Sequence, residues 1–218
     1  MRTIGALGRM VSAGLLMLAG CAGEPSVAGR SPSADGWRSL FDGGSLAGWR
    51  ISDFPGHGDV RVKNGLITLD QGEASTGVTY AGDIPRTGYE LEVEARRVRG
   101  PDFFCGLTFP VGPDACSLIP GGWNNCLVGI SCVDGQDASD NGTTRPILLS
   151  TGRWYRFRVR VTPGRVEAWI DDDRVVDLST AGKKIAVRPD IEESLPLGVA
   201  AWRTTAEIKS IRIRKVAP

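Results

Sequence analysis

From Trp37 onward, apolar and polar residues alternate with a period of two, which is the period of a β-strand. In residues 89–95 (YELEVEA) the odd-numbered positions are apolar and the even-numbered positions are glutamates. Residues 155–161 (YRFRVRV) alternate apolar residues with arginines in the same way. Both segments predict antiparallel strands with one face in the core. We expect the acidic row and the basic row to lie side by side across a strand pair, where opposite charges stabilise each other.

Turn-forming residues separate the strand-like segments. Asn64-Gly65 stands between VRVK and LITLD and is the strongest two-residue hairpin signal in the chain. Thr162-Pro163-Gly164 and Asp171-Asp172-Asp173 divide residues 154–178 into three short apolar runs. These turns predict a three-stranded meander in the second half of the chain.

The two ends of the alternating region are predicted to be neighbouring strands. Residues 207–216 (EIKSIRIRKV) alternate with one slip, and residues 37–42 (WRSLFD) form a suitable partner strand. No segment carries a sustained helical stripe, although residues 190–194 (DIEES) could form one helical turn. About twelve short strands separated by turns predict an all-β fold, a two-sheet antiparallel β-sandwich of jelly-roll type.

Two predicted strands carry a tryptophan on the face that should be polar. In residues 196–203 (PLGVAAWR), Trp202 shares its face with two small residues, and in residues 165–170 (RVEAWI), Trp169 shares its face with Glu167. Such a face suits the floor of a groove that receives a flat apolar ligand surface. It suits equally a face that a loop covers, and the sequence leaves both alternatives open.

The first residues have the composition of an export signal. Arg2 and Arg9 precede a short apolar run that ends in small residues before Cys21. This pattern resembles a bacterial lipoprotein signal over residues 1–20, in which Cys21 becomes the acylated N-terminus. The alternative is an ordinary signal peptide with an incidental cysteine. The expected location is the bacterial cell envelope, lipid-anchored at the periplasmic or outer-membrane face, with the membrane as a partner.

The remaining composition indicates one exported domain on a tether. Residues 21–36 are rich in Pro, Gly, Ser and Ala and predict a flexible tether with too little apolar surface to pack. Residues 37–218 contain no internal repeat and predict a single domain. The formal net charge of +1 provides no field that would attract nucleic acid, so a nucleic-acid partner is not expected.

Four cysteines follow Cys21, and export permits disulfides among them. They are Cys105, Cys116, Cys126 and Cys132. If residues 126–132 form one extended strand, the cysteines at its ends lie roughly 20 Å apart, which is beyond disulfide reach. A bond between Cys126 and Cys132 is therefore not expected. A lone Cys105–Cys116 bond, and the combination of Cys116–Cys126 with Cys105–Cys132, both stay open.

Five stretches resemble, in order and spacing, the 3-keto-disaccharide hydrolase domain family, which has a concanavalin A-like jelly-roll fold. They are residues 36–50 (GWRSLFDGGSLAGWR), 62–72, 89–97, 154–176 and 196–216. The resemblance extends over nearly all of residues 36–217. Each motif alone is common among jelly rolls, whereas their succession is more specific.

The resemblance implies action on a carbohydrate partner, a disaccharide or glycoside oxidised at C3. A ketone at C3 acidifies the C2 hydrogen, so a base can remove it, the C1 substituent can leave by elimination, and water can then add to the enone. This chemistry needs a positioned base and a group that stabilises the enolate. Two other functions stay open: a non-catalytic carbohydrate-binding module that uses the same groove, and a jelly-roll scaffold for surface interactions.

Residues 133–144 (VDGQDASDNGTT) form a long loop in which three aspartates repel one another, a cost that turn formation alone does not require. Asp134 or Asp137 is therefore a candidate proton acceptor, and Asn141 is a candidate hydrogen-bonding group to sugar or backbone. The aspartate spacing does not match an EF-hand, although a calcium ion held partly by backbone carbonyls stays open as a cofactor. No residue is assigned as a metal ligand, and a merely solvated turn is the main alternative.

The other candidates come from isolated positions. Arg203 follows the outward Trp202 and is a candidate for stabilising an enolate oxygen, and His57 lies in a Gly-rich loop as a second candidate base. The candidate catalytic residues are Asp134, Asp137, Arg203 and His57. Trp123, in the turn PGGWNN, is the best sugar-stacking candidate, unless it folds back to cap the core. The candidate substrate-binding residues are Trp123, Asn125, Asn141, Trp169, Trp202 and Glu94.

Overall fold

The alternating segments form the strands that their period predicts. A computed structural model describes residues 35–217, and these residues form fourteen strands with very little helix. The strands are β1 (Arg38–Ser39), β2 (Trp49–Ile51), β3 (Val60–Lys63), β4 (Leu66–Leu69), β5 (Ser75–Tyr80), β6 (Tyr89–Arg99), β7 (Gly106–Val111), β8 (Asp114–Gly121), β9 (Leu127–Ser131), β10 (Trp154–Thr162), β11 (Arg165–Ile170), β12 (Asp173–Ser179), β13 (Gly198–Trp202) and β14 (Thr205–Lys215). A 3₁₀ helix at Pro189–Ser194 matches the single helical turn predicted there.

Two antiparallel sheets enclose one apolar core, which confirms the predicted sandwich. The eight-stranded sheet has the order β12-β11-β10-β6-β14-β4-β3, with β1 paired to β14. The six-stranded sheet has the order β2-β5-β13-β7-β8-β9. Inward-facing residues from both sheets, such as Leu91 and Phe157 on one and Leu107 and Val199 on the other, are fully buried in the same cluster.

The predicted turns and end pairing are confirmed. Lys63 pairs with Leu66 across Asn64-Gly65, and both turn residues have positive φ, as a two-residue hairpin of this kind requires. Strands β10, β11 and β12 form the predicted meander. Strand β1 pairs with β14, and the slip in the last run is a bulge between Ile208 and Ser210.

The acidic and basic rows lie side by side on the outer face of the eight-stranded sheet, as predicted. Arg158 lies opposite Glu92, and Arg160 lies opposite Glu90. The side chain of Glu90 has 0% exposure and accepts hydrogen bonds from Arg160 Nε at 2.7 Å and Arg214 Nε at 2.6 Å. The two rows therefore neutralise each other within the sheet.

The outer face of the six-stranded sheet is largely covered by residues 185–195, which we call the covering segment. Backbone hydrogen bonds between Ala186 and Cys132 attach it beside β9. A Cβ atom on Gly198 would lie 2.7 Å from the Ser194 Cβ, so the sheet needs glycine where this segment crosses it. Ala200 packs in a small apolar cluster with Phe54 and Ile191. The small residues of β13 thus lie under a loop, and only the end of the strand at Trp202 borders a cavity.

The N-terminal predictions fall on residues that the structure does not describe. The signal over residues 1–20, Cys21 and most of the tether lie outside the described residues. Within residues 35–217, no helix combines the length and the apolar character needed to cross a bilayer.

All four cysteines of the described domain are unpaired thiols, so neither of the disulfide arrangements that the sequence left open is present. Cys126 and Cys132 flank β9 at its two ends, as the predicted extended strand requires. Cys105 and Cys116 are fully buried in the core. Burial raises the pKa of both buried thiols far above the usual range, because the charged thiolate is poorly solvated there.

These two thiols should make the domain sensitive to alkaline pH. The folded state retains both protons, whereas the unfolded chain loses them above about pH 9, so stability falls as pH rises from there toward the folded-state pKa values. Each thiol contributes a slope of about 1.4 kcal/mol per pH unit. Urea unfolding under reducing conditions between about pH 8 and about pH 10.5 would measure this slope. A Cys105→Ala/Cys116→Ala variant should have a much flatter profile, and an unchanged slope would contradict the prediction.

Candidate functional site

A cavity of about 220 Å³ opens on the outer face of the six-stranded sheet, beside the covering segment. Strands β8, β9 and β13, the loop before β7, the turn after β8 and the covering segment each contribute to its wall. The lining residues are Asp102, Phe103, Ile119, Trp123, Ser131, Arg188, Asp190, Ile191 and Trp202. Because most of the wall belongs to loops held on rigid strands, the cavity has the usual construction of a ligand site.

Aromatic rings form much of the wall. The rings of Phe103 and Trp202 lie 6.5 Å apart with an interplanar angle of 32°. Trp123 is 37% exposed and borders the same cavity from the turn after β8. The structure therefore brings together two of the predicted substrate-binding residues, Trp123 and Trp202. Flat apolar walls of this kind suit the C–H faces of a sugar ring.

One arginine links the charged groups of the cavity. Arg188 Nε donates to Asp190 Oδ1 at 2.9 Å, and Arg188 Nη1 donates to Asp137 Oδ2 at 2.5 Å. The hydrogen bond to Asp190 is the main reason that the pKa of Arg188 is raised. The guanidinium is thus held between two carboxylates, with its position fixed at the cavity wall.

The two carboxylates that line the cavity have different surroundings. Asp102 accepts the backbone N–H of Phe103 at 2.8 Å and that of Asn124 at 3.0 Å, so it joins the two loops that carry Phe103 and Trp123. Asp190 contacts only Arg188, with a second, longer bond of 3.3 Å from Nη2. Each carboxylate thus accepts one hydrogen bond on each oxygen, and Asp190, whose side chain is 40% exposed, is the more accessible of the two.

Trp123 lies in a left-handed turn. Trp123, Asn124 and Asn125 have φ values of 51°, 56° and 64°, a conformation that residues other than glycine adopt rarely. The Cys126 N–H donates to the Gly122 carbonyl and closes the turn. Its left-handed backbone points Trp123 outward, so Trp123 does not cap the core.

Asn125, predicted to bind substrate, instead stabilises this turn. Its Oδ1 accepts hydrogen bonds from Arg97 Nη2 at 2.7 Å and from the Leu149 N–H at 3.1 Å. Its Nδ2 donates to the Leu149 carbonyl at 3.0 Å. Both ends of the amide are therefore engaged within the protein, and the contacts of Asn125 are structural.

The loop 133–144 divides into one part beside the cavity and another that faces away from it. Asp137 bonds to Arg188 and accepts a hydrogen bond from the cavity residue Ser131 at 3.3 Å. Asp134 instead accepts the Lys184 N–H at 2.9 Å and the Lys183 Nζ at 3.1 Å, and these bonds lower its pKa. Asp134 is not part of the cavity wall.

The remaining features of this loop favour a folded turn over a calcium site. Asn141 Nδ2 donates to the carbonyls of Ile130 and Asp137, both at 2.7 Å, so it contacts backbone. The Lys183 ammonium and the Lys184 N–H hold Asp134, and Arg188 holds Asp137, so these donors occupy carboxylate oxygens that calcium would need. Among residues 35–217, no group of three or more His, Cys, Asp or Glu side chains could hold a metal ion.

Two other predicted catalytic residues lie outside the cavity. Arg203 Nε donates to the Glu73 carbonyl at 3.0 Å, and its guanidinium is 5.8 Å from the centre of the Trp202 ring. His57 is exposed, and its Nδ1 lies 2.8 Å from the Gly58 carbonyl. Neither residue borders the cavity, and the arginine that does so is Arg188.

Trp169 and Glu94 belong to the outer face of the other sheet, so neither borders the cavity that Trp202 lines. The guanidinium of Arg158 stacks on Trp169 at 4.3 Å. Glu94 pairs with Lys209 Nζ at 2.8 Å and borders a separate, highly charged cavity of about 650 Å³. Strand alternation shows that a side chain faces outward but does not show from which sheet.

The sequence pattern of the 3-keto-alpha-glucoside-1,2-lyase-like domain matches residues 36–214. No curated protein matches the chain in sequence. This match confirms the resemblance that the five motifs indicated.

Solved structures with the same fold are distant in sequence. The Crh5 transglycosylase in complex with NAG matches with a TM-score of 0.58 and 15% identity over 84% of this chain and 85% of that chain. SCLam, a non-specific endo-beta-1,3(4)-glucanase from family GH16, matches with a TM-score of 0.55 and 11% identity over 87% and 96%. The carbohydrate-binding module CBM66 from Bacillus subtilis matches with a TM-score of 0.52 and 12% identity over 77% and 96%. At these identities the likeness establishes the jelly-roll fold alone.

Proposed function

We propose a function from one premise: the chain belongs to the 3-keto-alpha-glucoside-1,2-lyase-like domain family. The proposed substrate is a glycoside or disaccharide whose glucosyl unit carries a ketone at C3. The proposed reaction is cleavage of its C1–O bond by elimination, followed by hydration of the product. The cavity on the six-stranded sheet is the proposed site.

In the proposed reaction, a base takes the C2 proton and the electron pair moves onto the C3 carbonyl to give an enolate. The enolate then collapses, the C1–O bond breaks, and the leaving oxygen takes a proton to depart as an alcohol. The product is an enone, to which water can add. The enzyme must therefore supply a carboxylate near C2 and a cation near the C3 oxygen.

The observation that carries the proposal is the arginine held between two carboxylates beside two tryptophans. Arg188 is assigned to the C3 oxygen, where its charge would stabilise the enolate. Asp190 is assigned as the base, because it is the more exposed of the two carboxylates that line the cavity. Trp123 and Trp202 are assigned to the apolar faces of the sugar ring.

The second candidate is a carbohydrate-binding module without catalysis. The aromatic wall favours it, and one structure that shares the fold is a carbohydrate-binding module. The two functions differ at Arg188 and Asp190, which a binding module would use only as hydrogen-bonding groups. A surface scaffold is disfavoured by the cavity, because a face used only for packing would not retain an open space of about 220 Å³.

Incubation with a 3-keto-disaccharide, followed by mass spectrometry of the products, tests the proposal directly. Cleavage is expected to release an intact alcohol or sugar and an enone or its hydrate. The ordinary, unoxidised disaccharide is the control and should stay intact, because its C2 hydrogen is not acidic. Binding of the 3-keto-sugar without turnover would favour the second candidate, and neither binding nor turnover would reject both.

Substitution of Trp123 separates the cavity from the rest of the loop 133–144. We expect Trp123→Ala to weaken binding of the 3-keto-disaccharide about tenfold, through loss of an aromatic face. Asp137→Asn should lower turnover, because it releases Arg188, whereas Asp134→Asn should change neither property. Isothermal titration and product formation would measure both. If Asp134→Asn had the largest effect, the cavity would be misassigned.

The proposed setting is the bacterial cell envelope. The support is the sequence of residues 1–21, with its basic start, short apolar run and Cys21. In that setting the acylated Cys21 and the tether would hold the domain near a membrane. A Cys21→Ser protein that stayed membrane-bound and lipid-labelled would reject the anchor.

A further inference from the structure

Arg97 on β6 is a buried cation without a carboxylate partner. The residue is 3% exposed and forms no ion pair with an aspartate or glutamate within the described residues. Its Nε has no hydrogen-bond partner at all. Burial lowers the pKa of its guanidinium, and the nearby negative charge of Asp102 offsets only part of this effect. A charge buried in this way costs stability, which points to a role of Arg97 outside the stability of the fold.

The other contacts of Arg97 lead to the turn that carries Trp123. Arg97 Nη2 donates to Asn125 Oδ1 at 2.7 Å, and its Nη1 donates to the Leu149 carbonyl at 3.4 Å. Gly121, the residue at the start of the turn, leaves room for this guanidinium, because a Cβ atom there would lie 2.7 Å from Nη2. The guanidinium of Arg97 therefore packs closely against the turn and hydrogen-bonds to it.

The turn needs such support because its own backbone is unfavourable. Trp123, Asn124 and Asn125 are consecutive residues in the left-handed region, which glycine and asparagine tolerate best and which is unfavourable for a tryptophan. Asp102 holds the middle of the turn through the Asn124 N–H, and Asn125 holds its end through Arg97 and Leu149. Without these bonds the segment would be expected to relax, and Trp123 would lose its place at the cavity.

We propose that Arg97 is a positioning residue for sugar recognition, which acts through Asn125 to hold the left-handed turn that presents Trp123 to the cavity. This inference rests on the proposed function of that cavity as the sugar site. The guanidinium also lies over the Phe104 ring at 5.1 Å, a contact that favours a cation and helps to hold it beside the turn.

The central experiment compares Arg97→Met with Arg99→Met, the same change two residues along the same strand at an exposed position. We expect Arg97→Met to fold with a urea midpoint close to that of the wild type, because removal of a buried charge offsets the lost hydrogen bonds and the lost contact with the Phe104 ring. Its affinity for the 3-keto-disaccharide should fall about tenfold, as it would if the Trp123 contact were lost. Arg99→Met should leave the affinity unchanged.

Acrylamide quenching of Trp123 provides a readout that does not depend on sugar binding. The Trp123 signal is the difference between each protein and the same protein carrying Trp123→Phe. We expect the quenching of Trp123 to increase in Arg97→Met and to stay at the wild-type level in Arg99→Met. A role in packing alone would lower stability without this change in Trp123.

A second variant keeps the test decisive if Arg97→Met does not fold. Asn125→Gly removes the amide that Arg97 contacts, while glycine accepts the φ of 64° at that position without strain. It should show the same loss of affinity and the same rise in quenching. Wild-type affinity and quenching in the folded variants would overturn the inference. If the wild type binds no 3-keto-sugar, the proposed function fails, and quenching alone then decides whether Arg97 positions Trp123.

Discussion

Replacement of Glu90 by glutamine is expected to destabilise the domain by about 3 kcal/mol. The carboxylate has 0% exposure and receives Arg158, Arg160 and Arg214. Glutamine has nearly the same shape but leaves these three guanidinium groups without their counter-charge. The loss should be nearer the lower end for a broken buried ion pair, because the arginine side chains keep 23%, 36% and 29% exposure.

Thermal unfolding would measure this effect, with an expected fall in the midpoint of roughly 6 to 12 °C for a domain of this size. Glu94→Gln is the matched control, four residues along the same face of β6. Its side chain is 31% exposed and pairs only with Lys209, so we expect a loss of at most about 1 kcal/mol. Equal effects of the two substitutions would mean that burial of Glu90 does not matter.

The fold could be predicted because its strands repeat one simple pattern. Tyr89, Leu91 and Val93 face the core because a strand exposes alternate residues to alternate faces, and no tertiary detail is needed to see this. The pairing of acidic and basic rows follows from the same alternation combined with attraction between opposite charges. Asn64-Gly65 could be placed in a hairpin because positive φ at both positions requires those residue types.

The candidate site could be predicted only in part, because it is assembled from loops that are far apart in the sequence. Trp123 and Trp202 were identified because each stands where a polar residue would be expected. Arg188 and Asp190 carry no such signal, since an arginine and an aspartate beside a proline are ordinary surface residues. Only the path of the covering segment across the six-stranded sheet brings them to the cavity.

For polar residues in turns, the sequence does not show which groups their side chains contact. Asn125 and Asn141 are of a residue type that can hydrogen-bond a sugar, yet their side-chain amides bond to the protein itself. Asp134 likewise bonds to Lys183 and Lys184, which are about fifty residues further along the chain. A sequence shows that a carboxylate is present but not which cation neutralises it, and here the cations are distant in sequence.

The cavity wall combines rigid and adjustable parts. Ile119 and Ser131 belong to strands, whereas Trp123, Arg188 and Asp190 belong to a turn and to the covering segment. Hydrogen bonds and ion pairs, rather than apolar packing, fix the charged groups among them. For this reason, substitutions of those polar partners should change ligand affinity and turnover more than they change the stability of the fold.

Arg188→Gln is expected to lower turnover of a 3-keto-disaccharide by roughly a hundredfold to a thousandfold, as expected when a group that stabilises an oxyanion is removed. Glutamine retains a hydrogen-bond donor but removes the charge that opposes the developing enolate, so kcat should fall more than KM rises. Arg153→Gln is the control, because Arg153 is an exposed, ion-paired arginine on the other sheet. Kinetics with product detection by mass spectrometry would measure both variants. A rise in KM with unchanged kcat would assign Arg188 to binding alone.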